Sequence, residues 1–484
     1  MKAIPSKLMN YGKNAEGVNS MTQIEPIFTK LKPMNTSQNA QFSPKGNNRI
    51  FFRIPAYSSS FMDTSRSFLS FWYVNTTTDE MGDLVGDVIN NTTPSCKLSD
   101  VGTQALFDRI VVKSSTTGAV LSDIRNAHLL GKIFSLLDTD DPQSKMDQGD
   151  WSGLPPLPLT DNMDNNHVLA TRQTRGIMLK YAFNTTLLSK HLDSFLPLHM
   201  MGGNGGFALD LELNLTPAAA CMERIGRNAD NATVPDYYIQ EVSYNIALLK
   251  LDTGLSTKFN AIAQKDETII VPYTTYTNHV SAITGTQNTM FVSDATTDLR
   301  RLYVVVTDAA TPSFTGPSTG PTQALQFYGA RLDPELATGS TKIHSYNFKI
   351  GNKHLYNEPV EEIMLDNTVS LNHFINAHYK GKADKPIYAS RVNMLNPAVN
   401  FYSSNYESTK SFVMAGNFTY SSEADSGMTQ GVSLAGLPCQ AEFKFDAEPV
   451  NKVAHGFSEC GFYAVIKNGD VSYVEVKDSM AHSW

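Results

Sequence analysis

Alternation of apolar and polar side chains is the clearest pattern along this chain. Between residues 207 and 215 every second residue is apolar, and most of the residues between them are acidic or amide side chains. Successive side chains of a strand point to opposite faces of a sheet, so this pattern predicts a strand with one face in a core and one in water. Residues 242–248 and 441–445 repeat the alternation. The chain is therefore predicted to consist mainly of β-strands.

Helical periodicity is confined to two segments. The first has apolar side chains three and four positions apart, with Asp123 placed as a helix-starting residue. The second follows Ser370, a residue type that commonly caps a helix. The residues on the two predicted helix faces are Ile124, Ala127, Leu130, Phe134 and Leu137 in the first, and Leu371, Phe374, Ile375 and His378 in the second.

The two predicted helices stand in similar surroundings, nearly half a chain apart. Each is preceded by a predicted strand, at 107–113 and 345–350, and then by a glycine turn, at Gly118 and Gly351. One supersecondary plan used twice indicates two β-domains of the same kind. We therefore predict an extended N-terminal arm at 1–45, a first domain at 46–255 and a second at 256–484, joined near residues 253–264.

The N-terminal arm differs from the rest of the chain in charge. Residues 1–45 contain six Lys and two Glu, whereas the whole chain has a net charge of −8. They show little periodicity, and the first predicted strand begins at Arg49. We expect a segment of this kind to add little to the fold, so that a chain without residues 1–40 would still fold.

Composition favours a protein that buries much of its surface against neighbours. The 484 residues are 41% apolar and only 18% charged, where a soluble domain usually has about a quarter of its residues charged. The acidic balance argues against sequence-specific binding of nucleic acid. The length is sufficient for two domains with cores of their own.

Candidate chemistry is sparse. The phosphate-loop, zinc-protease and serine-hydrolase motifs do not occur in the sequence. Glycines at 202–206 precede a strand and lack the Lys-Ser/Thr of a phosphate loop, so a hairpin loop is predicted. Aspartates between 138 and 164 lack EF-hand spacing and indicate a solvated loop or a contact to a neighbouring subunit. His191 and His199 are interpreted as surface or interface groups. We therefore predict no catalytic, cofactor-binding or metal-ligating residue, and no cofactor.

The four cysteines are widely spaced, which is typical of a protein that folds in a reducing compartment. The N-terminus lacks the apolar core of a signal peptide, and the sequence contains no apolar run long enough to span a membrane. We expect a soluble protein that is made inside a cell.

Several segments in a fixed order are similar to one family. The chain resembles the double jelly-roll major capsid proteins of double-stranded DNA viruses, most closely those of Polinton-like viruses and virophages. It departs from the family mainly in the loops at 138–166 and 309–322. The matching segments are 46–55 with 63–71, 106–124, 196–198 with 207–214, 346–352 with 358–360, and 426–428 before 441–445.

The resemblance implies an all-β fold of two consecutive eight-stranded jelly-roll β-sandwiches, with a few short helices in the loops. It implies a structural, non-enzymatic major capsid protein that trimerises into pseudo-hexameric capsomers tiling an icosahedral virion. Its partners would be further copies of itself, neighbouring capsomers, and penton and minor capsid proteins. The arm at 1–45 would be available to an internal membrane or to the genome.

Two other functions stay open on the residues alone. A receptor- or glycan-binding spike or vertex protein would form trimers or pentamers, bind cells and not tile. A β-sandwich enzyme acting on glycans would need paired carboxylates on one concave face, and such pairs leave no short sequence signature.

Overall fold

The computed structural model describes most of the β-structure of the chain and the turns that join it. The residues described are 2–3, 26–35, 40–79, 96–99, 101–137, 174–192, 194–202, 206–224, 233–250, 268–293, 296–309, 327, 343–361, 412–419, 431–434 and 436–475. The predicted second helix and the predicted joining segment at 253–264 lie outside these ranges.

Strands dominate the described residues, and we number them along the chain. Those of the first half are β1 Lys2–Ala3, β2 Pro26–Leu31, β3 Arg49–Pro55, β4 Ser60–Asn75, β5 Thr78–Asp79, β6 Cys96–Leu98, β7 Phe107–Ser114, β8 Val120–Arg125, β9 Ile177–Tyr181, β10 Phe207–Leu215, β11 Met222–Arg224, β12 Thr233–Val234 and β13 Tyr237–Lys250.

Those of the second half are β14 Ile269–Ala282, β15 Gln287–Val292, β16 Leu299–Asp308, β17 Ile343–Ile350, β18 Lys353–His354, β19 Val360–Glu361, β20 Met414–Asn417, β21 Cys439–Phe445, β22 Lys452–Lys467 and β23 Asp470–Glu475. The described helices are short: α1 Ala127–Leu137, α2 Ala218–Cys221 and two 3-10 turns, Gly102–Leu106 and Leu198–Met200.

The first half folds into a sandwich of two four-stranded sheets. One sheet has the order β2-β13-β4-β9 and the other the order β3-β10-β7-β8. With the eight main strands lettered B to I along the chain, these are the BIDG and CHEF sheets of a jelly roll. The short pairs β5–β12 and β6–β11 lie beside them.

The second half repeats this order strand for strand. Its BIDG sheet is β14-β22-β16-β20, and its CHEF sheet is β15-β21-β17 followed by β18 and β19, which both pair with β17. Strand β23 extends the BIDG sheet through β22, and β1 pairs in parallel with β14. The protein is an all-β double jelly roll, as predicted, and each sandwich encloses a core between its two sheets.

Strand β10 lies in the middle of the first CHEF sheet and has the predicted bounds. Leu211 pairs with Phe52 on one side and with Val112 on the other, and all three are fully buried. The alternation in the sequence therefore reports a real division between core and surface, since Glu212 on the opposite face is half-buried and forms an ion pair with Arg49 at 2.7 Å.

The glycine turns of the two halves are equivalent, as predicted. Gly118 has φ +71° and connects β7 to β8, while Gly351 has φ +57° and connects β17 to β18. Side chains other than glycine rarely adopt this region, so both positions favour glycine for the same reason. The internal repeat is thus a repeat of turn geometry as well as of strand order.

The first predicted helix begins one turn later than its periodicity indicated. Ile124 belongs to β8, where it pairs with Ile110 and is fully buried. Asp123 caps no helix; its carboxylate bonds across the strands to the guanidinium of Arg109 at 2.7 Å. Asn126, with φ +52°, separates the strand from the helix. The pairing of Ile124 with Ile110 across the strands therefore places Ile124 in β8, although the local spacing of apolar residues predicted a helix there.

The predicted arm contains a strand that the sequence analysis did not predict. Strand β2 pairs with β13 along its whole length and forms the edge of the first BIDG sheet. Further on, Phe42 is buried and exchanges two backbone hydrogen bonds of 2.9 Å with Ile239. The first strand of the first sandwich therefore begins at Pro26 and not at Arg49, and a truncation that removes residues 26–31 removes strand B of the jelly roll.

All four cysteines are buried as thiols. Burial raises the pKa of the Cys221 thiol to about 12, so it behaves as an inert core residue. Among the residues that the structure describes, no helix has the length and apolar character needed to cross a membrane.

We expect Leu211→Asp to prevent folding, because an unpaired carboxylate in the core costs several kcal/mol out of a domain stability of about 5–15 kcal/mol. Glu212→Ala, the matched control on the opposite face, should change the free energy of unfolding by about 1 kcal/mol or less. Soluble yield and thermal midpoint measure both effects. An equal loss of stability in the two variants would contradict the assignment of Leu211 to the core face of β10 and of Glu212 to the opposite face.

Candidate assembly surfaces

The two jelly rolls of one chain touch through strand β8 and the residues after it. The hydroxyl of Tyr273 on β14 donates a hydrogen bond of 2.8 Å to the carbonyl oxygen of Leu121. The amide of Asn126 donates one of the same length to the side-chain oxygen of Asn278. The F edge of the first sandwich therefore lies against strand B of the second.

Helix α1 covers the outer face of the second BIDG sheet. The ring of Phe134 packs edge-on against Tyr276, with the centroids 5.6 Å apart. Tyr276 shares its sheet face with Phe457 and Tyr303, and all three are buried although they point away from the core of their own sandwich. Helix α1 of the first sandwich therefore covers this face at Tyr276.

A buried ion pair lies on the same face. Arg301 donates to both carboxylate oxygens of Glu459, at 3.0 and 3.3 Å, and the hydroxyl of Tyr276 donates to the same carboxylate. Burial and the neighbouring carboxylate raise the pKa of Tyr276, so the phenol stays protonated as a donor. Burial favours a neutral Arg301, but the carboxylate outweighs it and raises the pKa of the guanidinium.

Two histidines from different sandwiches approach each other beside this contact. Burial, with the proximity of His128 on α1, lowers the pKa of His455 on β22 to about 4. His128 itself lies with Nδ1 3.1 Å from a carboxylate oxygen of Asp108. His455 is therefore neutral near pH 7 and acts as a packing residue.

The outer face of the first CHEF sheet is charged. Burial alone would raise the pKa of Asp123, but the guanidinium of Arg109 outweighs burial and lowers it, so the carboxylate stays ionised. Ladders of alternating charge on a sheet face are typical of a surface that faces water. The cross-strand ion pairs are Arg49–Glu212 at 2.7 Å, Arg53–Asp210 at 3.1 Å and Arg109–Asp123 at 2.7 Å.

The outer face of the first BIDG sheet has the opposite character. Trp72 on β4 pairs with Met178 on β9, and both point away from the core residues Phe71 and Tyr73. Met178 is 56% exposed, and Phe28 on β2, on the same face, is 59% exposed. An apolar sheet face that stays open to solvent marks an interaction surface.

A signal for this face was present in the sequence. Between Ser67 and Val74 both alternating sets are mainly apolar or aromatic, with Leu69, Phe71 and Tyr73 on one side and Phe68, Trp72 and Val74, interrupted by Ser70, on the other. Continuous apolar runs of this kind are typical of strands buried on both faces. On its own the run predicts a strand and does not show which of its two faces stays open to solvent.

The sequence-predicted chemical candidates come together nowhere among the described residues. Gly206 has φ +71° and its carbonyl accepts a hydrogen bond from the amide of Ala56, which fits the predicted turn before β10. His199 is half-buried and bonds through Nδ1 to the carbonyl of Ser60, whereas His191 is exposed. The aspartates at 138–164 lie outside the described ranges. In the part of the chain that the structure describes, no cluster of His, Cys, Asp or Glu is arranged to hold a metal ion.

Comparison by sequence finds no relative: no protein-family model and no curated protein matches the chain. Comparison by structure finds viral proteins. A chain of the Sputnik virophage solved by cryo-EM has a TM-score of 0.55 at 10% identity, over 100% of this chain and 95% of its own length. The Faustovirus major capsid protein has a TM-score of 0.51 at 9% identity, over 93% and 92% of the two chains. The mavirus major capsid protein has a TM-score of 0.50 at 12% identity, over 98% and 96%.

These likenesses run over nearly the whole length of both chains. The shared feature is thus the pair of jelly rolls and not one sandwich. The chain has the double jelly-roll fold of viral major capsid proteins, in agreement with the resemblance of its sequence segments.

We expect Glu459→Leu to lower the free energy of unfolding by about 3–5 kcal/mol, because it leaves the Arg301 guanidinium buried without a counter-charge. The double variant Arg301→Met/Glu459→Leu should recover much of this loss, since both charges are then absent. Tyr276 loses its acceptor in both variants, so the comparison isolates Arg301. Thermal unfolding of the wild type, Glu459→Leu and the double variant measures the loss of stability and its recovery.

The control for this experiment is Arg49→Leu, which breaks an exposed ion pair and should cost about 1 kcal/mol or less. A double variant no more stable than Glu459→Leu would show that the guanidinium is not the source of the loss.

Proposed function

We propose that this chain is a structural, non-enzymatic capsid protein that forms the shell of a virion. The observation that carries the proposal is the repetition of one complete strand order in two sandwiches of a single chain. Support comes from the matches to major capsid proteins over nearly the full length of the chain. The virion would then be its location, after synthesis in the host cell.

Two similar sandwiches in one chain support trimerisation as the second part of this proposal. A cyclic trimer uses heterologous contacts that close into a ring, and three chains place six similar sandwiches around one axis. Such a ring is a pseudo-hexameric capsomer, able to tile an icosahedral shell with copies of itself. Penton and minor capsid proteins would then occupy the vertices and the gaps between capsomers.

The N-terminal residues provide the link to other components in this proposal. The jelly rolls would occupy residues 26–255 and 256–484, and residues 1–25 would form the arm. Three of the six lysines of the predicted arm, at positions 30, 32 and 45, lie outside this shorter arm, and Lys45 pairs with Asp236 at 3.0 Å. The shorter arm therefore has little net charge, which favours contact with neighbouring capsomers over contact with a membrane or the genome.

The purified protein is expected to be a trimer of about 160 kDa, three times the 53.3 kDa chain. Light scattering measures the mass, and negative-stain images should show a pseudo-hexagonal outline. A stable monomer at micromolar concentration would contradict the capsomer. Trimers that bind cells or glycans but never form sheets or shells would instead favour a spike protein.

We expect removal of residues 1–25 to leave the trimer and its thermal midpoint almost unchanged while lowering the yield of assembled particles. The shorter arm contributes only the two-residue strand β1 to the described sheets. Removal of residues 1–40 should also destabilise the subunit, because it deletes β2. Thermal midpoint, trimer mass and particle yield are compared for the two truncations. Normal particle yield after the shorter truncation would mean that the arm has no role in assembly.

A further inference from the structure

The contact between helix α1 and the second jelly roll contains two histidines. His128 is buried in the first turn of α1, where the helix dipole disfavours positive charge. His455 lies on β22, on the outer sheet face that also carries Phe457. The same contact includes the edge-on packing of Phe134 against Tyr276. A positive charge gained by either histidine would therefore arise inside the contact that joins the two sandwiches.

We propose that this pair of histidines makes the contact between the two jelly rolls sensitive to acid, so that protonation of His455 loosens the packing of α1 on the second sandwich. Near pH 7 His455 is neutral and the contact is closed. In the open form α1 has left the sheet and His455 meets water. The inference concerns the folded chain and does not depend on the capsid function.

The neighbours of His455 disfavour a positive charge. Its cross-strand partners are Val280 on β14 and Val305 on β16, neither of which ionises. Its Nδ1 is buried and has no hydrogen-bond partner among the described residues. From α1 it faces His128, a potential cation, and Lys132 follows one helical turn later. An imidazolium ion among these neighbours would be desolvated and would gain no compensating charge from them.

The charged groups nearby are already paired. Asp108 lies with a carboxylate oxygen 3.1 Å from Nδ1 of the α1 histidine and so accompanies that ring. Further along the same face of β22, Glu459 pairs with Arg301 at 3.0 Å. At the start of β22, Lys452 and Asp308 form a pair on the opposite face of the sheet. Protonation of both histidines would thus place two positive charges beside the one carboxylate of Asp108.

Acid weakens the contact because the closed form binds a proton less well than the open form. Burial, with the proximity of His128, lowers the pKa of His455 from 6.5 to about 4 in the closed contact. The contact is therefore at full strength above pH 6.5 and weakens as the pH falls from 6.5 towards 4. At about pH 5 the equilibrium should shift roughly tenfold towards the open form.

The test is hydrogen exchange of the backbone amides of α1 in the full chain at pH 7 and pH 5. Protection factors correct for the intrinsic pH dependence of exchange, and in the wild type we expect them to fall about tenfold at the lower pH. In His455→Gln, which stays neutral, most of this fall should be absent. The matched control is His354→Gln, which removes an exposed histidine of β18 and should behave as the wild type does.

A second variant, His128→Gln, removes the other positive charge from the contact. It should reduce the fall in protection less than His455→Gln does, because the burial of His455 remains. Thermal midpoints at pH 7 check that each variant is folded. Wild-type protection that is the same at both pH values would overturn the proposal without any variant. A fall of equal size in the wild type and in folded His455→Gln would overturn it as well, because the acid sensitivity would then come from other groups.

Discussion

The packing of the first jelly roll on the outer face of the second is the contact on which the architecture of this protein depends. Helix α1 packs Phe134 against Tyr276, on the sheet face that also carries the buried Phe457, Tyr303 and the Arg301–Glu459 ion pair. Each sandwich has its own core, but this sheet needs a cover from outside its own sandwich. The two jelly rolls are therefore parts of one structural unit and not independent domains on a tether.

Polar groups within the second BIDG sheet fix the register of the strands that form the contacted face. Burial of Arg301 with Glu459 stabilises little by itself, because desolvation of both ions opposes their attraction. Their hydrogen bonds, and that of Tyr276, hold only when the strands β14, β16 and β22 are in their native register. The apolar contacts supply most of the attraction, and we infer that the buried polar groups select one arrangement among those that apolar packing allows.

The outer faces of the sheets differ in polarity, although the two sandwiches have the same strand order. The outer face of the first CHEF sheet carries partly exposed ion pairs, whereas the outer face of the second BIDG sheet carries buried aromatic residues and a buried Arg301–Glu459 ion pair. The second BIDG sheet meets its neighbour inside the chain, and the outer face of the first BIDG sheet carries the exposed Phe28 and Met178.

The sequence by itself determined the elements whose signals are local. Alternation specified β10 to the residue, and Gly118 and Gly351 marked equivalent turns, because side-chain direction and positive φ are properties of a few neighbouring residues. Only the tertiary structure decided that Ile124 is in a strand, that Pro26–Leu31 is an edge strand and that Arg301 meets Glu459. Each of these depends on a partner far away in the chain, and a hydrogen-bonded or buried state is a property of the pair, which no local pattern contains.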